Sequence, residues 1–352
     1  MNISADITGI EYSAQLCKNL NSYDLNELQL ALSKDTTFLL KLDDTNKIVV
    51  SWWVSAKRTR SYPYARVYDS LNFLGKKVTI IPIIKDEGKD GDRDFLQWDT
   101  VSMMSLLGVY VIISYYITAS QNPRYTNKIT SQRYDVKQIM DNLKKLKSYQ
   151  SDALHWNLSQ LEKTTNIMQK SLNAYSNISK ELGVEMHSHN SARKRVEKLT
   201  HGKNAFLNLS RNLAKKAQER ERVTVQPKEN IEGIKGSITI SNYLGGKYYF
   251  TSDEVEIIKE NIFLIEGKHS KESNLPSVGD IKDALLKMIL FTNLTNVSIG
   301  NKKYLPKPIM KLTSKKPLIN ITKNNKQVKF LEKLKKESEI NNFQVIINGE
   351  YL

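Results

Sequence analysis

Ser252-Asp-Glu-Val-Glu-Ile-Ile-Lys-Glu-Asn-Ile-Phe-Leu-Ile-Glu-Gly-Lys-His-Ser270 is the stretch whose reading decides the fold. It predicts a strand, a tight polar turn at Lys259-Glu-Asn, and a second, strongly apolar strand. Asp253 enters the first strand, while Glu266 and Lys268 leave the second. Side chains alternate faces along a strand, so Glu266 and Lys268 point the same way. Paired as a hairpin, the strands bring Asp253 near the end of the sheet where Glu266 sits.

An acid followed by Glu-x-Lys on one strand edge supplies the parts for cutting a phosphodiester. Two carboxylates hold a hard, oxygen-seeking ion such as magnesium and leave positions open for phosphate and water. A lysine beside them orients the water and offsets developing charge. The tripeptide alone says little. It recurs at Glu87-Gly-Lys89 with Asp69 upstream, and Asp-x-Lys occurs at Asp135–Lys137 and Asp280–Lys282. Context separates residues 266–268: the glutamate continues an apolar strand, an acid-bearing strand lies one turn away, and an amphipathic helix follows. Glu87 sits instead in a run of Asp, Gly and Lys that reads as a solvated loop.

Over about residues 235–292 the chain resembles the PD-(D/E)xK nuclease superfamily, whose largest group is the type II restriction endonucleases. The resemblance implies an α/β (α+β) fold with a mixed-sheet, restriction-endonuclease-like core. It makes Asp253, Glu266 and Lys268 catalytic, with Asp253 and Glu266 as ligands of Mg2+. Ser252-Asp253 stands where the family has Pro-Asp, which leaves Glu254 and Glu256 as further claimants for the first acid. Glu232 is a candidate additional ligand. The implied substrate is double-stranded DNA, cut to 5′-phosphate and 3′-hydroxyl ends, with a cognate DNA methyltransferase as cellular partner. A palindromic site calls for a homodimer. The other classes the residues allow are a repair or recombination nuclease with the same site, and a DNA-binding protein that does not cut.

Composition agrees with a polyanionic partner. The 352 residues carry 53 Lys and Arg against 37 Asp and Glu, a formal charge of +16. Hydrophobic residues make up 40%, ample for a packed interior. A single cysteine, Cys17, excludes an internal disulfide and a cysteine-rich zinc site. Met1-Asn-Ile-Ser-Ala-Asp6 has no basic or apolar run of a signal peptide, which leads us to expect a cytoplasmic protein. Thr100–Asn122 lacks charge, but its Ser, Thr and Gln residues and Gly108 divide it into a helix and a buried strand, not a membrane span.

Three regions follow from the patterning. Residues 1–128 read as an N-terminal α/β region suited to DNA recognition. It has a short helix at Asp24–Leu32, a hairpin around Asp43-Asp-Thr-Asn46, and a strand Lys77–Ile84 that Pro82 marks as an edge or a bulge. Residues 129–224 read as a helical, basic insertion. Val136, Ile139, Met140, Leu143 and Leu146 recur at helical spacing, as do Leu154, Leu158, Leu161 and Ile167, with breaks at Gly183 and Gly202. Residues 225–352 hold the catalytic core, including a helix at about Val278–Thr292, and a lysine-rich C-terminal tail beyond Gly300.

Two basic stretches are candidates for contacting DNA. Arg58, Arg60 and Arg66 are interleaved with aromatics after Trp52-Trp53, which suits base reading and stacking. Residues 191–222 carry ten Lys and Arg against three Glu, with Arg193, Arg195 and Lys198 placed to follow phosphates. His187, His189 and His201 lack the strands of a ββα metal finger and read as surface histidines of the helical region.

Overall fold

The computed structural model describes residues 1–56, 63–188, 234–271, 275–314 and 325–352. The chain divides into two compact units, Met1–Lys18 with Arg211–Leu352, and Asn19–Ser210. Strand β1 (Asn2–Ile7) buries Ile3, Ala5 and Ile7 at alternate positions and pairs with strands far along the chain.

In the Asn19–Ser210 unit, β2 (Ser22–Asp24) leads through a 3-10 turn into α1 (Leu28–Lys34). Strands β3 (Thr37–Lys41) and β4 (Lys47–Trp52) form the expected hairpin, closed by Asp43 Oδ1 accepting from the N–H groups of Thr45 and Asn46. Helix α2 (Pro63–Tyr68), β5 (Lys77–Pro82), the small hairpin β6 (Ile84–Asp86) and β7 (Arg93–Phe95), α3 (Trp98–Leu106) and β8 (Val109–Ser114) follow. The sheet order is β2-β3-β4-β5-β8, with β4, β5 and β8 parallel. Gly108, at φ +65°, turns α3 into β8, as the uncharged stretch predicts. Among the described residues no helix is long and apolar enough to cross a membrane.

Some expectations for this unit need correction. Strand β5 lies between β4 and β8, so Pro82 marks no edge; it ends the strand, where the next backbone donor, Ile83 N–H, reaches the Ser114 carbonyl at 2.8 Å. The Glu87 run is a solvated loop only in its middle, where Lys89, Asp90 and Asp92 are exposed, while its ends are paired strands. Asp86 and Asp94 are buried in the β6–β7 hairpin, and Glu87 accepts from Lys85 Nζ at 2.6 Å. His187 is no surface residue of a helix, since its Nδ1 lies 2.7 Å from Asp86 Oδ1 beyond the end of the helical segment.

The remaining elements of this unit are β9 (Tyr116–Gln121), β10 (Ile129–Tyr134), α4 (Val136–Lys147), α5 (Ala153–Glu162) and α6 (Thr164–Leu182). Asp135 and Asp152 cap α4 and α5 by accepting from Gln138 N–H at 3.0 Å and His155 N–H at 2.9 Å. Gly183, at φ +65°, ends α6. Helix α5 does not bury its leucine stripe; it buries Trp156, Asn157 and Gln160. The reason is β8, an outer strand of its sheet whose peptide groups need partners. Asn157 Oδ1 accepts from Val111 N–H at 2.6 Å, and Asn157 Nδ2 donates to the Val109 carbonyl at 2.9 Å. Trp156 Nε1 donates to the Val111 carbonyl at 2.8 Å.

The other unit is built on a nine-stranded mixed sheet. Strands β11 (Ile234–Asn242), β12 (Lys247–Ile258) and β13 (Asn261–His269) form an antiparallel meander, with Lys259 at φ 57° in the turn between β12 and β13. Helix α7 (Val278–Thr292) follows as predicted, capped by Ser277 Oγ accepting from Asp280 N–H at 3.1 Å. Strands β14 (Thr295–Ile299), β15 (Lys302–Lys303) and β16 (Leu305–Thr313), helix α8 (Asn325–Ile340), and strands β17 (Gln344–Ile347) and β18 (Glu350–Tyr351) complete the unit. The order is β15-β14-β1-β11-β12-β13-β16-β17-β18, with β1 parallel to β11, and with β13, β16 and β17 parallel to one another.

The lysine-rich stretch beyond Gly300 is therefore no tail but part of this sheet. Its prolines obscure the strand. Pro306 and Pro308 pair with β13, while β17 joins β16 only from Ile309 onward, so the missing N–H groups cost no ladder bond. Helix α7 packs on β13 and β16 with Ile281, Ala284, Leu285, Met288 and Ile289 fully buried. Burial of each large apolar side chain contributes about 1.5–3 kcal/mol. The buried Glu337 of α8 accepts from Tyr12 Oη at 2.7 Å and Gln15 N–H at 2.8 Å, fastening the segment after β1.

Candidate active site

Backbone pairing between β12 and β13 runs from Ile258–Asn261 back to Glu254–Ile265. Beyond that pair, side chains replace the ladder. Ser252 Oγ donates to the Ile265 carbonyl at 2.9 Å, and Gly267 N–H donates to Asp253 Oδ2 at 2.8 Å. The other side of β12 carries a bulge at the same point: Lys235 of β11 faces both Asp253 and Glu254. An extra residue in one strand bends it and re-aims the side chains at the bulge. Gly236 is required beside it, because a Cβ there would lie 2.4 Å from Val255 Cγ2.

Glu266 projects from β13 toward α7 and is 1% exposed. Its Oε1 accepts from Lys268 Nζ at 2.9 Å and its Oε2 from Lys287 Nζ at 2.8 Å. Burial pushes the Glu266 carboxyl up, but the Lys287 and Lys268 ammonium groups outweigh it and hold the carboxyl at about 2. Burial lowers Lys268, yet Glu266 and Asp283 leave it above the usual lysine value. Asp283 lies one turn before Lys287 on α7. Burial raises it, with Glu266 and Asp280 adding and the two lysines opposing. A buried carboxylate with an ammonium on each oxygen is the arrangement in which Coulomb attraction offsets desolvation.

Glu266 and Lys268 meet at one end of the β12–β13 hairpin, and Asp253 stands at the same end with its carboxylate on the Gly267 N–H. Glu254 does not join them. It is in register with Ile265, so it lies on the sheet face opposite Glu266, where Lys311 Nζ donates to its two oxygens at 3.0 and 3.2 Å. Glu256 is exposed. Sequence reasoning missed Lys287 and Asp283. Their signal is a cation and an acid at i, i+4 spacing on a mostly apolar helix that directly follows the motif strand.

Of the DNA-contact candidates, Arg66 belongs to the other unit. Its guanidinium lies 4.4 Å from the centre of the Trp52 ring and donates to the Trp52 carbonyl at 2.7 Å. Trp53 is fully buried. Arg58, Arg60, Arg193, Arg195, Lys198, Glu232, His189 and His201 lie outside the described residues.

The donor chemistry at the hairpin end fits magnesium. Both acids are hard oxygen ligands, Glu266 is held ionised, and each of its oxygens keeps a lone pair beyond its lysine bond. Among the described residues no three His, Cys, Asp or Glu side chains gather to hold a metal ion. A magnesium ion held by two carboxylates would keep its other positions for water and phosphate. Compared with protein-family models, curated proteins and solved structures, the chain matches none.

Proposed function

We propose that the chain is a site-specific, magnesium-dependent endonuclease of the type II restriction kind, with Asp253, Glu266 and Lys268 at its active site. The observation that carries this reading is a buried, ionised Glu266 bonded to the Lys268 ammonium, at the hairpin end where Asp253 takes the Gly267 N–H in place of the β12–β13 ladder. A magnesium ion held by Asp253 and Glu266 would neutralise the scissile phosphate and supply an activated water. The chain's own groups do the rest. Glu266 stays charged because two ammonium groups face it. Lys268, the more exposed of those two lysines at 23% against 14%, is the one able to reach a phosphate oxygen or orient the water. Asp253 is fixed in direction by the Gly267 N–H.

Double-stranded DNA as substrate, a homodimer on a two-fold site and a cognate methyltransferase as cellular counterpart belong to the same proposal. The formal charge of +16 supports a polyanionic substrate. The test is incubation of the purified chain with unmethylated phage DNA, with magnesium or with EDTA, followed by ligation of the products. Discrete fragments that require magnesium and religate without kinase treatment support the reading; intact DNA in both arms refutes it.

A second reading has one observation in its favour. Both oxygens of Glu266 are satisfied by lysines, as in an ion triad that only fastens a helix to a sheet. The chain would then bind DNA without cutting it, and a Glu266→Gln variant that still folds would bind as the wild type does.

A further inference from the structure

We infer that the β9–β10 ribbon is a DNA-groove element, its Arg124, Lys128 and Arg133 contacting the duplex. The inference rests on the DNA-directed reading above and adds which part of the chain meets the substrate. From Tyr116 to Tyr134 the sequence holds those three cations and no Asp or Glu. Strands β9 and β10 form a separate two-stranded sheet. Residues 117–127 are mostly at the surface, with Tyr125 58% exposed. A two-stranded ribbon is one of the shapes that the major groove admits.

The base of the ribbon is rigid. Tyr116 and Tyr134 stack with ring centres 4.5 Å apart, both buried, and the Tyr134 hydroxyl donates to the Trp53 carbonyl. Gln132 Nε2 donates to the Asp86 carbonyl at 2.6 Å, and helix α6 packs along β9. The tip is ordered too. Asn122 Oδ1 accepts from the Arg124 and Tyr125 N–H groups at 2.9 and 3.2 Å, and Gln121 Nε2 donates to the Thr126 carbonyl at 2.7 Å. A tip held in shape before binding gives up less entropy on meeting its partner.

The three cations have no carboxylate partner among the described residues; Lys128 lies 5.3 Å from the centre of the Tyr125 ring. Two acids beside the ribbon have partners of their own. Asp90 accepts from Asn127, and Asp135 accepts from Tyr115 and from the Gln138 backbone. Arginine can bond two acceptors on a guanine edge, while a lysine on a ribbon serves phosphates.

The test is anisotropy of labelled duplex fragments of unmethylated phage DNA, in EDTA, across a salt series. It compares the full-length wild type with the triple variant Arg124→Ala, Lys128→Gln, Arg133→Gln. We expect the triple variant to bind at least tenfold more weakly at low salt. Its slope of log affinity against log salt should be shallower by about 0.9 for each phosphate that the variant no longer neutralises. The substituted side chains are not buried, so the thermal midpoint should not move, and Arg124→Glu alone at the tip gives a second readout by repulsion. An unchanged slope in a folded triple variant overturns the ribbon while wild-type cleavage upholds the nuclease. Ribbon-dependent binding without cleavage upholds the ribbon and overturns the nuclease. A wild type that does not bind overturns both.

Discussion

Lys287 of α7 places its Nζ 2.8 Å from Oε2 of Glu266 on β13, and the pair joins the helix to the strand under the Glu-Gly-Lys run. Neither residue is a neighbour of the other in sequence. Their contact is made by the same packing that buries Ile281, Leu285 and Met288, so the electrostatics of the site depend on the seating of one helix.

Removing that ammonium leaves a buried carboxylate with one partner, Lys268. Lys287→Met should therefore destabilise the fold by about 3 kcal/mol, the lower end of the range for breaking a buried ion pair. Lys287→Arg, which keeps the charge, should recover most of the loss. Urea midpoints of the two variants measure this directly.

The acid limb of stability carries a second prediction. Glu266 is held at about 2 in the folded chain, against about 4.3 for an unperturbed glutamate. A lowered value means that the contribution is present above the unfolded value and is lost as pH falls through the folded one. Stability should decline between about pH 4.3 and 2, and Glu266→Gln should flatten that part of the curve. A urea midpoint followed against pH shows whether it does.

Asp283 shifts in the opposite direction, so its sign reverses. A raised carboxyl favours the folded state below its unfolded value and works against it once pH rises through the folded one. Asp283→Asn should raise the thermal midpoint at neutral pH, and the gain should vanish in acid. A fall in the midpoint at neutral pH would show instead that the charged form of Asp283 is useful to the fold.

Gly236 tests the bulge. A methyl there meets Val255 Cγ2 at 2.4 Å, so Gly236→Ala should cost about 1–3 kcal/mol, the range for overpacking. Adding Val255→Ala should restore much of it. Additive losses in the double variant would contradict the steric account.

What the sequence discloses and what it hides divide along local and long-range physics. The hairpin at Ser252–Ser270, the helix Val278–Thr292 and the break at Gly108 follow from periodicity and turn chemistry, and each is present. The pairing of Asn2–Ile7 with Ser237–Asn242 spans most of the chain and leaves no local signal. Strand β16 is masked by Pro306 and Pro308, whose tolerance depends on where a neighbouring strand begins. The buried face of α5 departs from its leucine stripe because an outer strand draws Asn157 inward, which hydrophobicity alone cannot indicate. At the site, strand alternation suffices to pair Glu266 with Lys268, while Lys287 becomes visible only once α7 is seated on β13.

The central claim is tested most directly by cutting. Purified wild type, Lys268→Ala and Asp253→Asn are incubated with unmethylated phage DNA in magnesium, and each variant's fold is checked by its thermal midpoint. The account predicts discrete fragments from the wild type and none from either folded variant. Fragments of the same pattern from Lys268→Ala would contradict it and move the active site elsewhere in the chain.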